Sequence, residues 1–317
     1  MSRTIKSTTD RAVPASLRAL RLWFALESRV APESAERRAA KMFVTPPRQK
    51  QATSSHKAAI DDIGHGRIRT LDIRVRGGSL QVPASVIGDG PTVMLLHGWG
   101  GSASDMMPLA RAFGRAGHRA IVFDMPGHGQ SPGRESSLVD FLRAIDAVCG
   151  ALGAPEVVVG HSFGGAAAVL AITELALPVR GAVLFSPAPG PAYYVDRFSR
   201  AIGLPAERAV GMMRRVVERV GRSVESLDAL VAARKTDVPS IIFHDPADRE
   251  VPFTFATQLA DAWTGSRLVP APSLGHKRIL RDPETIAAAV DFAACHSERR
   301  PKAAGALRAH EESRSSQ

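Results

Sequence analysis

Residues 154–170 of this 317-residue chain read APEVVVGHSFGGAAAVL. The β-branched run Val157-Val158-Val159 predicts a short buried strand. The small-residue run after Gly164 predicts a helix. Between them stands Gly160-His161-Ser162-Phe163-Gly164, so a Gly-x-Ser-x-Gly pattern is predicted where a strand turns sharply into a helix.

The two glycines of this pattern are expected to have a steric role. The turn is so tight that a Cβ at Gly160 or Gly164 would strike the neighbouring strand or helix. Ser162 must then adopt a strained backbone conformation that exposes its hydroxyl, while free N–H groups at the start of the helix point to the same place. The arrangement is called a nucleophile elbow, and it predicts Ser162 as the nucleophile.

Composition limits the classes of protein that this chain can belong to. A length of 317 residues with 44% apolar residues fits one large α/β domain with additions, or two small domains. No apolar run approaches the ~20 residues that a membrane span needs, and no signal peptide pattern is found. Cys149 and Cys295 have no metal-ligand spacing and make no disulfide framework, so no metal site is predicted and the cytoplasm is the expected location.

The net charge of +10 is concentrated in the termini. Residues 1–66 contain 12 Lys/Arg and 6 Asp/Glu, and residues 296–317 contain 5 and 3. The 229 residues between them contain 24 and 22. Basic tails of this kind are most often solvated, and a neutral middle does not predict a nucleic-acid partner.

Residues 1–66 are predicted to form a basic N-terminal extension with a linker. Apolar residues recur at helical spacing from Ser16 to Ala40, Pro32 interrupts them, and a second short helix is expected over Glu33–Phe43. Contact with its own domain is the favoured prediction. Peripheral membrane contact through residues 16–43, or contact with another subunit, are the alternatives.

Residues 67–190 and 238–295 are predicted to form the core. A hairpin over residues 68–86 precedes continuous apolar strands that alternate with helices, which indicates a mostly parallel sheet with helices on both faces. Strands are expected at 91–97, 120–123, 157–159, 183–185, 240–243 and 267–269, and helices at 104–117, 138–152, 166–175 and 283–295. Ligands bind beyond the carboxyl ends of such strands, where Ser162 lies.

Residues 191–237 interrupt this alternation after the sixth strand and are predicted to form a helical cap over the site. Four of its side chains are candidate substrate contacts for an apolar acyl or aryl group, namely Tyr193, Tyr194, Phe198 and Met212. A surface insertion without a role in binding is the alternative. Residues 296–317 are predicted to be a disordered tail.

A serine nucleophile needs a base, and the base needs an orienting acid, in the chain order Ser, Asp, His. His276 follows a glycine in a loop after the last predicted strand and is the predicted base. Asp245 and Asp248 both follow the strand at 240–243, and both are candidates for the acid.

With these motifs and their order, residues 67–295 resemble the α/β-hydrolase superfamily. The acid loop of that family reads Asp, two variable residues, then Val-Pro. The stretch Asp248-Arg249-Glu250-Val251-Pro252 matches it, so the resemblance implies Asp248 as the acid. The loop His97-Gly98-Trp99-Gly100-Gly101 resembles the His-Gly loop of the family, which implies an oxyanion hole made by the backbone N–H groups of Trp99 and Phe163.

The resulting prediction is a serine hydrolase with the α/β-hydrolase fold, which cleaves a carboxylic ester or similar acyl bond of a small molecule through an acyl-enzyme. No cofactor is implied. Carbon–carbon bond hydrolysis or acyl transfer with the same triad is one alternative, and a ligand-binding protein on a hydrolase scaffold is another.

Overall fold

The computed structural model describes residues 14–47, 66–75 and 78–297. The chain forms two compact units. Residues 1–45 and 191–226 make the first, which we call the helical unit. Residues 46–190 and 227–317 make the second, which we call the sheet unit. Predictions for residues 48–65 and for the tail after Ser297 fall outside the described residues.

The sheet unit contains one eight-stranded sheet with the order β1-β2-β4-β3-β5-β6-β7-β8. The strands are β1 Gly66–Val75, β2 Gly78–Ile87, β3 Thr92–Leu96, β4 Arg119–Phe123, β5 Val157–His161, β6 Gly181–Phe185, β7 Ser240–His244 and β8 Ser266–Pro270. The hairpin β1–β2 is antiparallel and pairs antiparallel with β4. The strands from β3 to β8 pair in parallel, which confirms the mostly parallel sheet.

Helices cover both faces of this sheet. They are α3 Ala103–Arg115, α4 Leu138–Leu152, α5 Phe163–Glu174, α8 Ala229–Ala233, α9 Phe253–Ala262, α10 Gly275–Arg278 and α11 Pro283–His296. The predicted helices and strands are present, while α9 and α10 were not predicted. Helix α5 begins three residues earlier than expected, because it starts directly after Ser162 rather than after the glycines.

Polar side chains define where several of these helices start. Ser102 and Asp105 form a capping box at the start of α3. The Ser137 hydroxyl accepts a hydrogen bond from the Asp140 N–H at the start of α4, and the Asp282 carboxylate accepts one from Thr285 at the start of α11. The helices that flank the elbow are therefore positioned by local sequence as well as by burial.

The helical unit consists of α1 Ala15–Val30, α2 Pro32–Phe43, α6 Pro191–Ile202 and α7 Ala206–Val220. Its core is made of residues from both segments of the chain, namely Phe24, Ala35, Ala39, Ala40, Val44, Ile202, Leu204, Met212 and Val216. The sequence analysis predicted the N-terminal extension and the insertion after β6 as two separate parts of the protein. In the structure the two segments share one core, because each has an apolar face that its partner covers.

A buried carboxylate joins α2 to α7 in this unit. Glu36 lies 3.4 Å from Arg215 and 3.8 Å from Arg208. A Cβ on Gly211 would lie within 2.4 Å of the Glu36 carboxylate, so a larger residue at that position would displace the Glu36 side chain from its present place. In the described part of the chain, no helix is long and apolar enough to cross a membrane.

Candidate active site

The backbone at Ser162 has the strained conformation that the pattern predicted. Ser162 has φ 52° and ψ −120°, a region that residues with a side chain rarely occupy. A Cβ on Gly160 would lie 2.6 Å from the Gly164 carbonyl oxygen, and a Cβ on Gly164 would lie 2.4 Å from the Leu96 carbonyl oxygen. The steric role predicted for both glycines is confirmed.

The loop after β3 lies against the elbow. A Cβ on Gly98 would lie only 2.9 Å from the Ser162 Cβ, so the loop passes at van der Waals distance from the serine. Ser162 consequently exposes only 9% of its surface. Ser162 as a whole is therefore closely enclosed, because the glycine allows the loop to come this close.

His276 and Asp248 are brought together from two segments: Asp248 lies in the loop after β7, and His276 ends residues 271–276, here called the histidine loop, whose last two residues begin the short helix α10. The His276 Nδ1–H donates to the Asp248 Oδ2 at 2.7 Å, and the Asp248 side chain is buried. The other oxygen, Oδ1, accepts hydrogen bonds from the backbone N–H groups of Glu250 at 2.7 Å and Val251 at 3.2 Å. This network orients the carboxylate and fixes the imidazole tautomer with its proton on Nδ1.

The same contacts keep Asp248 ionised. Burial alone would raise the pKa of its carboxyl, but hydrogen bonds from His276, Glu250 and Val251 outweigh burial and lower the pKa to about 2. Asp248 therefore carries a negative charge at neutral pH directly beside the His276 ring.

Asp245, the competing candidate, has a different set of partners. Its carboxylate accepts from the backbone N–H groups of Ala247 and of Gly275, the residue before His276. It thereby ties the loop after β7 to the loop that carries the histidine. Its hydrogen bonds define a positioning contact, which the sequence did not reveal because its partners are backbone groups.

His161, inside the Gly-x-Ser-x-Gly pattern, makes a contact that was not predicted. Its Nε2 lies 2.8 Å from the backbone carbonyl oxygen of His276, and the two rings are 4.8 Å apart. Burial lowers the pKa of His161 to about 3, and the nearby His276 adds to the effect. The neutral ring donates its Nε2–H to the carbonyl and links the elbow to the histidine loop. In the sequence, the feature that could have indicated this contact is the histidine directly before the serine.

His97 shapes the loop that passes Ser162. Its Nε2 accepts a hydrogen bond from the Met125 N–H at 3.0 Å, so its proton is on Nδ1. Nδ1 donates to the Gly98 carbonyl at 2.8 Å. Complete burial lowers the pKa of His97 and keeps the ring neutral, as both hydrogen bonds require.

Aromatic contacts bring the two predicted oxyanion residues together. The rings of Trp99 and Phe163 are 5.3 Å apart in an edge-to-face arrangement, and the His128 ring lies 5.1 Å from Trp99. Phe163 is the first residue of α5, where a backbone N–H has no acceptor within the helix. The loop and the helix start are thus held beside one another by side-chain contact.

The predicted substrate contacts all lie in the helical unit. The rings of Tyr193 and Tyr194 are 5.0 Å apart, and Tyr193 is partly exposed. Phe198 packs edge-to-face on Phe43 at 5.2 Å. Met212 is fully buried in the core of that unit, so in this structure it is a core residue.

The comparison with known families agrees with this geometry. The family model described as alpha/beta hydrolase fold matches residues 91–226. This range contains the loop after β3, the elbow and the helices that follow β6. Over these residues the chain is similar to the α/β-hydrolase family, and its sheet and helices have the α/β-hydrolase fold.

Relatives of the chain include a protein named as a methyl ester esterase and one named as a methylesterase. The pimeloyl-acyl-carrier-protein methyl ester esterase of Shewanella woodyi is 27% identical over 45% of this chain and 54% of that protein. The protein phosphatase methylesterase 1 of Bos taurus is 35% identical over 26% of this chain and 23% of that protein. The chain thus spans about half the length of the first relative and under a quarter of the second.

A solved structure extends the similarity over most of the chain. An esterase of Pyrococcus furiosus matches with a TM-score of 0.58 and 18% identity, over 80% of this chain and 98% of the esterase. At this level of identity the match establishes the fold alone.

Proposed function

We propose that this protein is a serine hydrolase that cleaves carboxylic esters with Ser162 as nucleophile, His276 as base and Asp248 as the orienting acid. One observation carries the proposal. The His276 imidazole is hydrogen-bonded to a buried, ionised aspartate and tied to His161, the residue directly before a serine with a strained backbone. Serine hydrolases with this chain order need such a base–acid pair at the elbow.

In the proposed reaction the Ser162 oxygen attacks the ester carbonyl carbon while its proton moves to the His276 Nε2. The ester C–O bond then breaks, and His276 gives the proton to the departing alcohol. Water attacks the acyl-enzyme with the same base, which releases the acid and restores Ser162. Asp248 stays ionised throughout, and its charge stabilises the imidazolium that forms.

The negative oxygen of the tetrahedral intermediate needs hydrogen-bond donors that are already in position. We propose the backbone N–H groups of Trp99 and Phe163 for this role. Helix α5 adds the positive end of its dipole, because its first residue follows the nucleophile. One such donor typically contributes ~3–4 kcal/mol to transition-state stabilisation.

For the substrate we propose an ester of an apolar acyl group. One relative is named as a methyl ester esterase and another as a methylesterase, which supports cleavage of carboxylic esters with a small alcohol. Tyr193, Tyr194 and Phe198 remain the proposed acyl contacts. The test compares p-nitrophenyl esters of increasing acyl length with the methyl esters of the same acids.

The decisive experiment uses the full chain and a fluorophosphonate probe, which labels activated serines. Ser162→Ala should abolish both labelling and ester turnover. Ser273→Ala is the matched control, because Ser273 is an exposed serine that also has a positive φ, 68°. The control should be labelled like the unmodified protein.

Other results would redirect the proposal. Labelling without turnover of any ester would favour acyl transfer or cleavage of a carbon–carbon bond with the same triad. A folded protein that is not labelled would refute Ser162 as nucleophile and favour a ligand-binding role.

A further inference from the structure

Helix α1 has an exposed apolar stripe. Its large side chains are Leu22, Trp23, Leu26 and Val30, with 73%, 56%, 62% and 74% of their surface exposed. Residues separated by four positions lie on the same face of a helix, and Trp23 extends that face on one side. The opposite face of α1 contributes Phe24 to the core of the helical unit. The stripe is therefore a separate face of α1, which the core of the helical unit does not bury.

Arginines border the stripe on both edges. Arg18 lies four residues before Leu22 and Arg29 lies seven residues after it. At about 3.6 residues per turn, both therefore lie along the Leu22 edge of the stripe. On the other edge, Arg38 is ion-paired with Glu27, and its guanidinium carbon lies 5.8 Å from the centroid of the Trp23 ring. The Trp23 indole N–H donates to Glu27 at 2.9 Å, which fixes the ring in its exposed orientation.

The positive charge of the protein is concentrated in the same unit. Residues 1–45 contain nine Lys/Arg and four Asp/Glu, and residues 191–226 contain seven and four, which gives a combined net charge of +8. The whole chain carries +10, so the much larger sheet unit contributes only +2. The exposed apolar stripe thus belongs to the strongly basic part of the molecule.

This combination of features favours an anionic membrane, rather than a second copy of the chain, as the partner of the stripe. A 16-residue helix is about 24 Å long and about 10 Å wide, so one face of α1 covers only about 240 Å². Stable dimers bury about 800 Å² per partner. Two units of charge +8 would also repel one another. An anionic bilayer, in contrast, attracts the arginines while its interface accepts leucine, valine and tryptophan side chains.

We propose that the stripe Leu22, Trp23, Leu26 and Val30 docks the helical unit onto anionic phospholipid membranes. Helix α1 lies in the plane of the interface, with its apolar side chains among the acyl chains and its flanking arginines at the phosphates. The docking is peripheral and reversible, and it does not depend on any chemistry at Ser162.

The test is flotation of the full-length protein with vesicles of phosphatidylcholine, with and without phosphatidylglycerol. Co-flotation should require the anionic lipid and should be abolished at about 1 M salt, where the Debye length is only ~3 Å. The double variant Leu22→Ser and Leu26→Ser should lower the partition coefficient more than tenfold. Val210→Ser with Val231→Ser is the matched control, since both valines are exposed outside α1, and it should bind normally.

A second pair of variants tests the charge contribution without changing apolar surface. Arg29→Gln should weaken binding roughly fivefold, and Arg234→Gln, the same change at an exposed position in the sheet unit, should have no effect. The proposal is overturned if the folded protein does not float with anionic vesicles, or binds neutral ones equally well. It is also overturned if both α1 variants bind normally, or if the stripe supports a stable dimer instead.

Discussion

The His161 Nε2–H donates to the backbone carbonyl of His276 across 2.8 Å, from the residue that directly precedes Ser162. The two residues are 115 positions apart in the chain. This hydrogen bond places the histidine loop against the elbow through the main chain, while Asp248 orients the imidazole through its side chain. The position and the orientation of His276 are thus controlled by two different residues.

His161 is accordingly expected to act as a positioning residue. His161→Leu removes the buried donor and should lower kcat for p-nitrophenyl esters about fivefold with KM nearly unchanged, because a net hydrogen bond contributes about 1 kcal/mol. His161→Gln retains an N–H donor and should restore much of the rate. Equal losses in both variants, or a change confined to KM, would contradict this role.

Asp248 and Asp245 should respond differently to the same substitution. Asp248→Asn replaces one of the two accepting oxygens with an N–H₂ donor and no longer stabilises the imidazolium, so kcat should fall by about 10³–10⁴. Asp245→Asn disturbs backbone contacts, among them those to Ala247 and Gly275, and should mainly lower thermal stability with a smaller loss in kcat. Steady-state kinetics and melting curves of both variants measure the difference; the opposite ranking in kcat would support Asp245 as the acid.

The buried histidines predict a loss of stability in mild acid. Burial, with a smaller effect from a neighbouring histidine, lowers the pKa of His128 and of His161 to about 3. Between pH 6.5 and 3 the unfolded chain binds protons that the native state does not, so the stabilisation is complete above pH 6.5 and is lost as the pH falls toward 3. Each histidine contributes a slope of about 1.4 kcal/mol per pH unit in that window.

Urea unfolding of the protein and of His128→Gln at pH 7 and pH 5 measures this slope. The variant should lose about 2 kcal/mol less than the unmodified protein between the two pH values. Parallel losses in both proteins would show that His128 titrates normally in the native state.

Two glycines in neighbouring elements of the sheet unit should respond in opposite directions to alanine. In Gly160→Ala the new Cβ meets the backbone of Gly164 and Gly165 at 2.6 Å, so stability should fall by about 3 kcal/mol or more. Gly150 lies in α4, where an added Cβ would have no neighbour within 4 Å, and Gly150→Ala should raise stability by roughly 0.5–1 kcal/mol. Thermal melts of both variants test the pair, and a tolerated Gly160→Ala would mean that the elbow can relax.

Most strands and helices of the sheet unit could be predicted from local sequence patterns. The run Val157–Val159 and the glycines at 160 and 164 are enough to predict a strand, a sharp turn and a strained Ser162, because each depends on residues close in sequence. The continuous apolar strands predicted a parallel sheet for the same reason. Helix α9, Phe253–Ala262, was not predicted. It begins directly after the acid loop, and that stretch of sequence was interpreted by its catalytic motif rather than by its helical spacing.

The chain by itself determined the fold, the elbow and the candidates His276 and Asp248, since motif order and strand–helix alternation are encoded locally. Only the tertiary structure decided which partners these side chains have. It paired Asp248 with His276 and Asp245 with backbone N–H groups, and it placed His161 beneath the histidine loop. It also joined α1 and α2 to the helices after β6. The physical reason is that such contacts depend on burial and on close approach between segments that are distant in sequence, and no local pattern records either.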